Sequence, residues 1–162
     1  MPKFSDHLIK KIQEKITCYP EGKQKSALLP VLHMVQEEYK GFLTPEVMDE
    51  VANLLSIRNI EVYEVASFYS MFHLKPVGKY VLQVCQTGPC CLLGSDTILE
   101  VLEKKLGIGI GQTTADGMFS LQVVECLAAC GKGPVLQVGN RYIEQLTEEK
   151  IETLLSELRT AG

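Results

Sequence analysis

Two pairs of cysteines constrain this chain more than any other feature: Cys85-x4-Cys90 and Cys126-x3-Cys130. Each pair follows a run with the alternation and valine content of a β-strand, Lys79–Cys85 and Phe119–Glu125. If those strands lie side by side and parallel, their ends coincide, and the loops after them form a single four-sulfur site. Tetrahedral sulfur coordination suits structural zinc and iron-sulfur clusters alike. Zinc knuckles commonly place two residues between ligands, whereas the four and three found here leave room for a bulkier diiron core. Plant-type [2Fe-2S] proteins also use a C-x4-C element, although their following C-x2-C is missing. Spacing alone favours [2Fe-2S] and leaves zinc and unligated redox thiols open.

Composition decides between metal ligands and disulfide staples. The 162 residues are 46% apolar and 22% charged, an ordinary globular balance sufficient for one core and a smaller helical appendage. No run approaches 18 uninterrupted apolar residues, so a membrane span is not expected. The amino terminus, MPKFSDHLIKKIQEK, lacks the apolar stretch of a secretory signal. The six cysteines are therefore expected to be reduced thiols. A net charge of −4 argues against nucleic acid. Lysines 3, 10, 11, 15, 23 and 25 give the first quarter a basic bias, but interleaved acids make it a solvated face or a docking surface.

The first 75 residues have helical periodicity. Ser5 caps a helix with Leu8, Ile9, Ile12 and Ile16 on one side, ending near Cys18–Gly22. A second helix is expected over Ser26–Tyr39, with Leu28, Leu32 and Val35 inward and Pro30 in its first turn. Thr44-Pro45-Glu46 starts a third that buries Val47, Val51, Leu54 and Leu55. A fourth follows Asn59 through Val62, Val65, Ala66 and Tyr69, and Lys75–Gly78 is the linker. The period then changes. Strand Lys79–Cys85 is followed by an amphipathic helix Ser95–Leu106, a turn at Asp116-Gly117 and strand Phe119–Glu125. A strand Pro134–Gly139, its return over Arg141–Ile143 and a Thr147-capped helix to Leu158 complete the chain. The predicted class is α+β: an N-terminal helical bundle, 1–75, followed by a thioredoxin-like α/β domain, 76–162.

Around the cysteines, Gly88, Gly94, Gly131 and Gly133 are expected to permit positive φ and let backbone amides approach sulfur. Cys91 directly follows Cys90 and is expected to be a buried small hydrophobe, with a replacement ligand as the alternative, while Cys18 is expected to be structural or merely present. A Lys132 ammonium about 8 Å from the metal would favour the reduced state by about 2 kcal/mol, with Glu125 opposing it. His7, His33 and His73 are isolated, and no C-x-x-C pair supports dithiol chemistry. Gly107-Ile108-Gly109-Ile110-Gly111 follows a helix rather than a strand, the wrong context for a dinucleotide loop.

Together, Ala27–Leu32, Val65–Tyr69, the two cysteine loops and Gly111–Gly117 resemble the small thioredoxin-like [2Fe-2S] subunit of NADH-quinone oxidoreductase, respiratory complex I. The resemblance covers nearly the whole chain and implies that Cys85, Cys90, Cys126 and Cys130 are the four ligands of one [2Fe-2S] cluster. It also implies a larger flavoprotein partner that binds FMN and NADH, with this chain exchanging single electrons with the flavin and not oxidising NADH alone. The place would be cytoplasmic, peripheral to the inner membrane through the larger assembly. Cys91 stands where relatives generally carry an apolar residue such as Met, and Cys130-Gly131-Lys132-Gly133-Pro134 replaces the more usual Cys-x-Asn-Ala-Pro. The alternatives are a stand-alone [2Fe-2S] ferredoxin, a diaphorase subunit of a soluble hydrogenase or formate dehydrogenase, and a zinc-stabilised interaction module.

Overall fold

The computed structural model describes residues 4–161, so Lys3 of the basic run lies outside the described residues. The chain divides into two compact units, Met1–Pro76 and Val77–Gly162.

The first unit contains α1 (Asp6–Ile16), α2 (Leu28–Glu38), α3 (Pro45–Leu55) and α4 (Asn59–Phe68). Their starts follow from capping chemistry. The Ser5 hydroxyl accepts from the Leu8 N–H at 3.1 Å, and that of Thr44 accepts from Val47 at 3.3 Å ahead of Pro45. α2 begins two residues later than the pattern suggested, after a 3-10 turn over Gln24–Ala27. Pro30 still falls in its first turn, where its missing N–H has no intrahelical role. Leu8, Ile12, Leu32, Val35, Val51, Leu55, Val62 and Ala66 are buried in one core, against which Ile9, Ile16, Leu54 and Val65 pack with partial exposure. α4 ends at Phe68, one residue short of the expected run through Tyr69, which caps it and is exposed.

The second unit is a four-stranded sheet of order β2-β1-β3-β4, formed by β1 (Tyr80–Cys85), β2 (Phe119–Val124), β3 (Leu136–Val138) and β4 (Arg141–Ile143). β1 and β2 are parallel, in register from Tyr80↔Phe119 to Cys85↔Val124. β3 runs antiparallel to both β1 and β4. The crossover between the parallel strands carries a short helix, α5 (Gly88–Leu92), and the amphipathic α6 (Ser95–Leu106). The last helix is α7 (Glu148–Thr160), its start capped by Thr147, whose hydroxyl accepts from Lys150 at 3.3 Å. Ile98, Leu99 and Leu102 of α6 and Ile151, Leu154, Leu155 and Leu158 of α7 share a core with Leu82, Val84, Phe119, Leu121 and Leu136.

The expected linker is not slack at its end. Gly78 is buried, and its N–H donates to Ser120 Oγ at 2.7 Å. A Cβ there would sit 2.8 Å from the Phe119 carbonyl carbon, so a side chain has no room.

Candidate metal centre

Parallel pairing brings the two cysteine loops together. Cys85 is the last residue of β1 and lies opposite Val124, the last of β2, so Cys126 begins its loop beside the end of β1. Tertiary hydrogen bonds fix the rest. The Cys85 N–H donates to the Val135 carbonyl at 3.1 Å, and the Gln145 and Leu146 amides hold the carbonyls of Lys132 and Pro134 at 2.8 and 3.0 Å.

The short α5 decides which neighbouring cysteine faces the centre. Successive helical residues point about 100° apart, so Cys90 turns inward, 1% exposed, while Cys91 is half-buried and Leu92 is 90% exposed. Cys91 Sγ instead lies 3.7 Å from the Ser95 hydroxyl at the start of α6. The expected wholly buried Cys91 is therefore corrected: it is a partly exposed thiol with a polar neighbour.

The sulfurs form two pairs. Cys85 and Cys90 lie close enough to shift each other's pKa, and Cys126 and Cys130 Sγ lie 3.6 Å apart. Cys130 is within electrostatic reach of both Cys85 and Cys90. Among the described residues, no three His, Cys, Asp or Glu side chains close into a compact cage for one ion. The pairs differ in surroundings, since Cys85 is 1% exposed like Cys90, whereas Cys126 and Cys130 face solvent.

Backbone amides approach the sulfurs, but not by the route anticipated. Leu127 and Thr87 N–H groups serve Cys85, Val135 serves Cys90, and the Ala128 N–H lies 3.3 Å from Cys126 Sγ. None of these donors is a glycine. Of the four flanking glycines, Gly94 alone has positive φ, at 95°, where it starts α6. The left-handed residue inside the second cysteine loop is Ala128, at φ 59°. Gly133 is extended, with φ −70°. Its Cβ position would lie 3.4 Å from Cys90 Sγ and 3.0 Å from Leu93 Cδ1, so close approach rather than conformation explains glycine there.

These contacts set the thiols apart chemically. Burial raises the Cys85 pKa, but the Thr87 hydroxyl at 3.3 Å, the Leu127 and Thr87 amides and the Cys90 thiol outweigh it, leaving Cys85 below its ordinary value. Burial, then the hydrogen bond to Cys85 and its charge, push Cys90 up to about 11. Cys130 is raised, first by its hydrogen bond with Cys126 and then by that sulfur's charge.

The Lys132 expectation left out a countercharge. Its ammonium pairs with Glu144 at 2.9 Å and is 63% exposed, so a countercharge and water screen it from the sulfurs. The remaining candidates lie elsewhere. Cys18 is exposed, with Sγ 3.5 Å from the Glu14 carbonyl, and the His33 ring packs at a tilt against Phe72, centroids 4.9 Å apart. His73 is half-buried, which lowers its pKa. Gly107 caps the end of α6 with φ 67°, and the Gly111 N–H donates to the Leu121 carbonyl within β2, so that glycine run is structural.

A mixed four-stranded sheet packed with α6 and α7, bearing cysteine loops at adjacent strand ends, defines a thioredoxin-like α/β protein with a sulfur-rich centre. The chain belongs to the thioredoxin-like [2Fe-2S] ferredoxin family, whose model matches residues 12–159. It is 48% identical over 145 residues to a subunit of the NADH-quinone oxidoreductase of Rickettsia felis, covering 90% of this chain and 87% of that one. It is 42% identical over 150 residues to a subunit of the NADH-quinone oxidoreductase of Rhizobium meliloti, covering 93% and 88%. Among solved structures, an NAD+-reducing [NiFe]-hydrogenase in the air-oxidized state matches with a TM-score of 0.70 and 21% identity. That match covers 83% of this chain and 23% of the hydrogenase chain, and it shows the fold.

Proposed function

We propose that Cys85, Cys90, Cys126 and Cys130 hold one [2Fe-2S] cluster, and that the chain is the electron-transfer subunit of an NADH-quinone oxidoreductase. The observation that carries this reading is the gathering of four thiols at the ends of two parallel strands, in a chain with near-full-length relatives that are subunits of that enzyme. The donor set fits. Two thiolates on one tetrahedral metal at about 2.3 Å stand roughly 3.8 Å apart, close to the 3.6 Å between Cys126 and Cys130.

When bound, a [2Fe-2S] cluster supplies a one-electron acceptor beside a two-electron donor. The residues prepare for it. Ligation requires the thiols to give up their protons. The Leu127, Thr87, Val135 and Ala128 N–H groups then face negative sulfur and stabilise it. Burial of Cys85 and Cys90 excludes water from one side, and the exposed Cys126–Cys130 side offers the approach to a partner.

The partner in this proposal is a larger flavoprotein subunit carrying FMN and NADH, within a respiratory complex. The chain itself exchanges single electrons and does not oxidise NADH. Among the described residues, no helix is long and apolar enough to cross a membrane. A cytoplasmic place, peripheral to the inner membrane through the assembly, belongs to the same proposal, as does the division into a helical domain, 1–75, and a cluster domain, 76–162. Co-purification from the native source with metal and flavin analysis tests it: a flavoprotein partner, iron and FMN are expected together. NADH oxidation by the isolated, cluster-loaded chain would refute the assigned role.

A further inference from the structure

We propose that Cys126 and Cys130 are also a thiol–disulfide site: without metal, a small disulfide oxidant such as glutathione disulfide joins them, while Cys85 and Cys90 remain thiols. Three observations carry this. The two sulfurs are already 3.6 Å apart, so bonding requires them to close by about 1.5 Å. Both side chains are exposed, whereas Cys85 and Cys90 are 1% exposed and beyond the reach of a tripeptide oxidant. The connecting residues, 127–129, lie outside helix and strand, and Cys130 opens only a single 3-10 turn, so side-chain rotation and a small loop adjustment disturb no strand ladder or α-helix.

The chemistry balances by two exchanges. One protein sulfur attacks the oxidant, breaking its S–S bond, forming a mixed disulfide and releasing one glutathione. The second protein sulfur then attacks the first, forming Cys126–Cys130 and releasing the second glutathione. The protein loses two electrons and two protons, which leave as the two glutathione thiols.

The consequence for the centre rests on the proposed metal reading. A sulfur held in a disulfide cannot act as a thiolate ligand, so the oxidised pair blocks cluster insertion until a thiol reductant reopens it. The disulfide itself stands without that reading.

The test uses the full chain, stripped of metal by chelation under reducing conditions, exposed to glutathione disulfide, alkylated and digested with trypsin. Cleavage separates residues 80–104, with Cys85, Cys90 and Cys91, from residues 106–132, with Cys126 and Cys130. The expected result is a 106–132 peptide lighter by two hydrogens and closed to alkylation, beside an 80–104 peptide in which Cys85 and Cys90 are both still thiols. A Cys85–Cys90 bond, a bond between the peptides, glutathione adducts alone or persistent thiols in both peptides would each overturn it. In parallel, the oxidised chain is expected to take up iron and sulfide roughly tenfold less than the reduced chain, with recovery after dithiothreitol. Equal uptake overturns the block. A reduced chain that takes up no iron defeats the metal reading and the block together, while the mass result still decides the disulfide.

Discussion

Gly133 approaches Cys90 so closely that a Cβ on it would stand 3.4 Å from the Cys90 sulfur. The tighter neighbour is Leu93 Cδ1 at 3.0 Å, the far end of a half-exposed side chain that can swing away. Gly133→Ala is therefore expected to cost only about 1 kcal/mol. Gly78→Ala meets Phe119 backbone at 2.8 Å, which cannot yield, and is expected to cost about 2–3 kcal/mol. Urea denaturation of both variants checks the order, and equal losses would contradict it.

The hydroxyl of Thr87 lies 3.3 Å from Cys85 Sγ. With thiolate there it must donate, so it stabilises the more negative, reduced state of a bound centre. Thr87→Val is expected to lower the midpoint potential by up to about 40 mV, the limit set if a hydrogen bond worth about 1 kcal/mol acted on the reduced state alone. A redox titration followed by electron paramagnetic resonance measures this, and an unchanged potential would count against the contact.

Lys132 should matter less. Because it is largely exposed and paired with Glu144, Lys132→Ala is expected to lower the potential by less than Thr87→Val does. Adding Glu144→Gln should return it toward the parent value, since the two charges then disappear together. The same titration distinguishes this from an unscreened lysine, which would give the larger shift of the two single variants.

In the first unit, hydrogen bonding by Lys25, then by the Arg58 N–H and side chain, lowers the Glu61 pKa to about 2. A lowered folded-state pKa stabilises fully above the unfolded value, near 4.3, and that stability is lost as pH falls toward about 2. Glu61→Gln should therefore melt below the parent at pH 6, with the gap narrowing as pH approaches 2. A gap independent of pH would remove the carboxylate from the account.

The legible parts of the chain were those with a period or a cap. The alternation in Lys79–Cys85 and Phe119–Glu125 places Cys85 and Cys126 at neighbouring strand ends, and Ser5, Thr44 and Thr147 mark helix starts at the residue. α5 was not legible, because five residues are too few to show a 3.6-residue period, yet that one turn separates the environments of Cys90 and Cys91. The Gly133 contact and the Lys132–Glu144 pair join elements that sequence does not place beside each other. Ala128 in a left-handed conformation runs against local propensity and is held by the loop around it. The glycine-centred expectation for the amide donors failed for that reason: loop closure, not residue type, aims these N–H groups.

Metal and sulfide analysis, with the visible spectrum, of the purified chain and its six single Cys→Ser variants tests the central claim most directly. The account predicts a brown protein with iron and acid-labile sulfide in equal amounts. Changes at Cys85, Cys90, Cys126 or Cys130 should impair the centre, and changes at Cys18 or Cys91 should spare it. A colourless, zinc-bound protein, or a centre that survives Cys90→Ser but not Cys91→Ser, would contradict it.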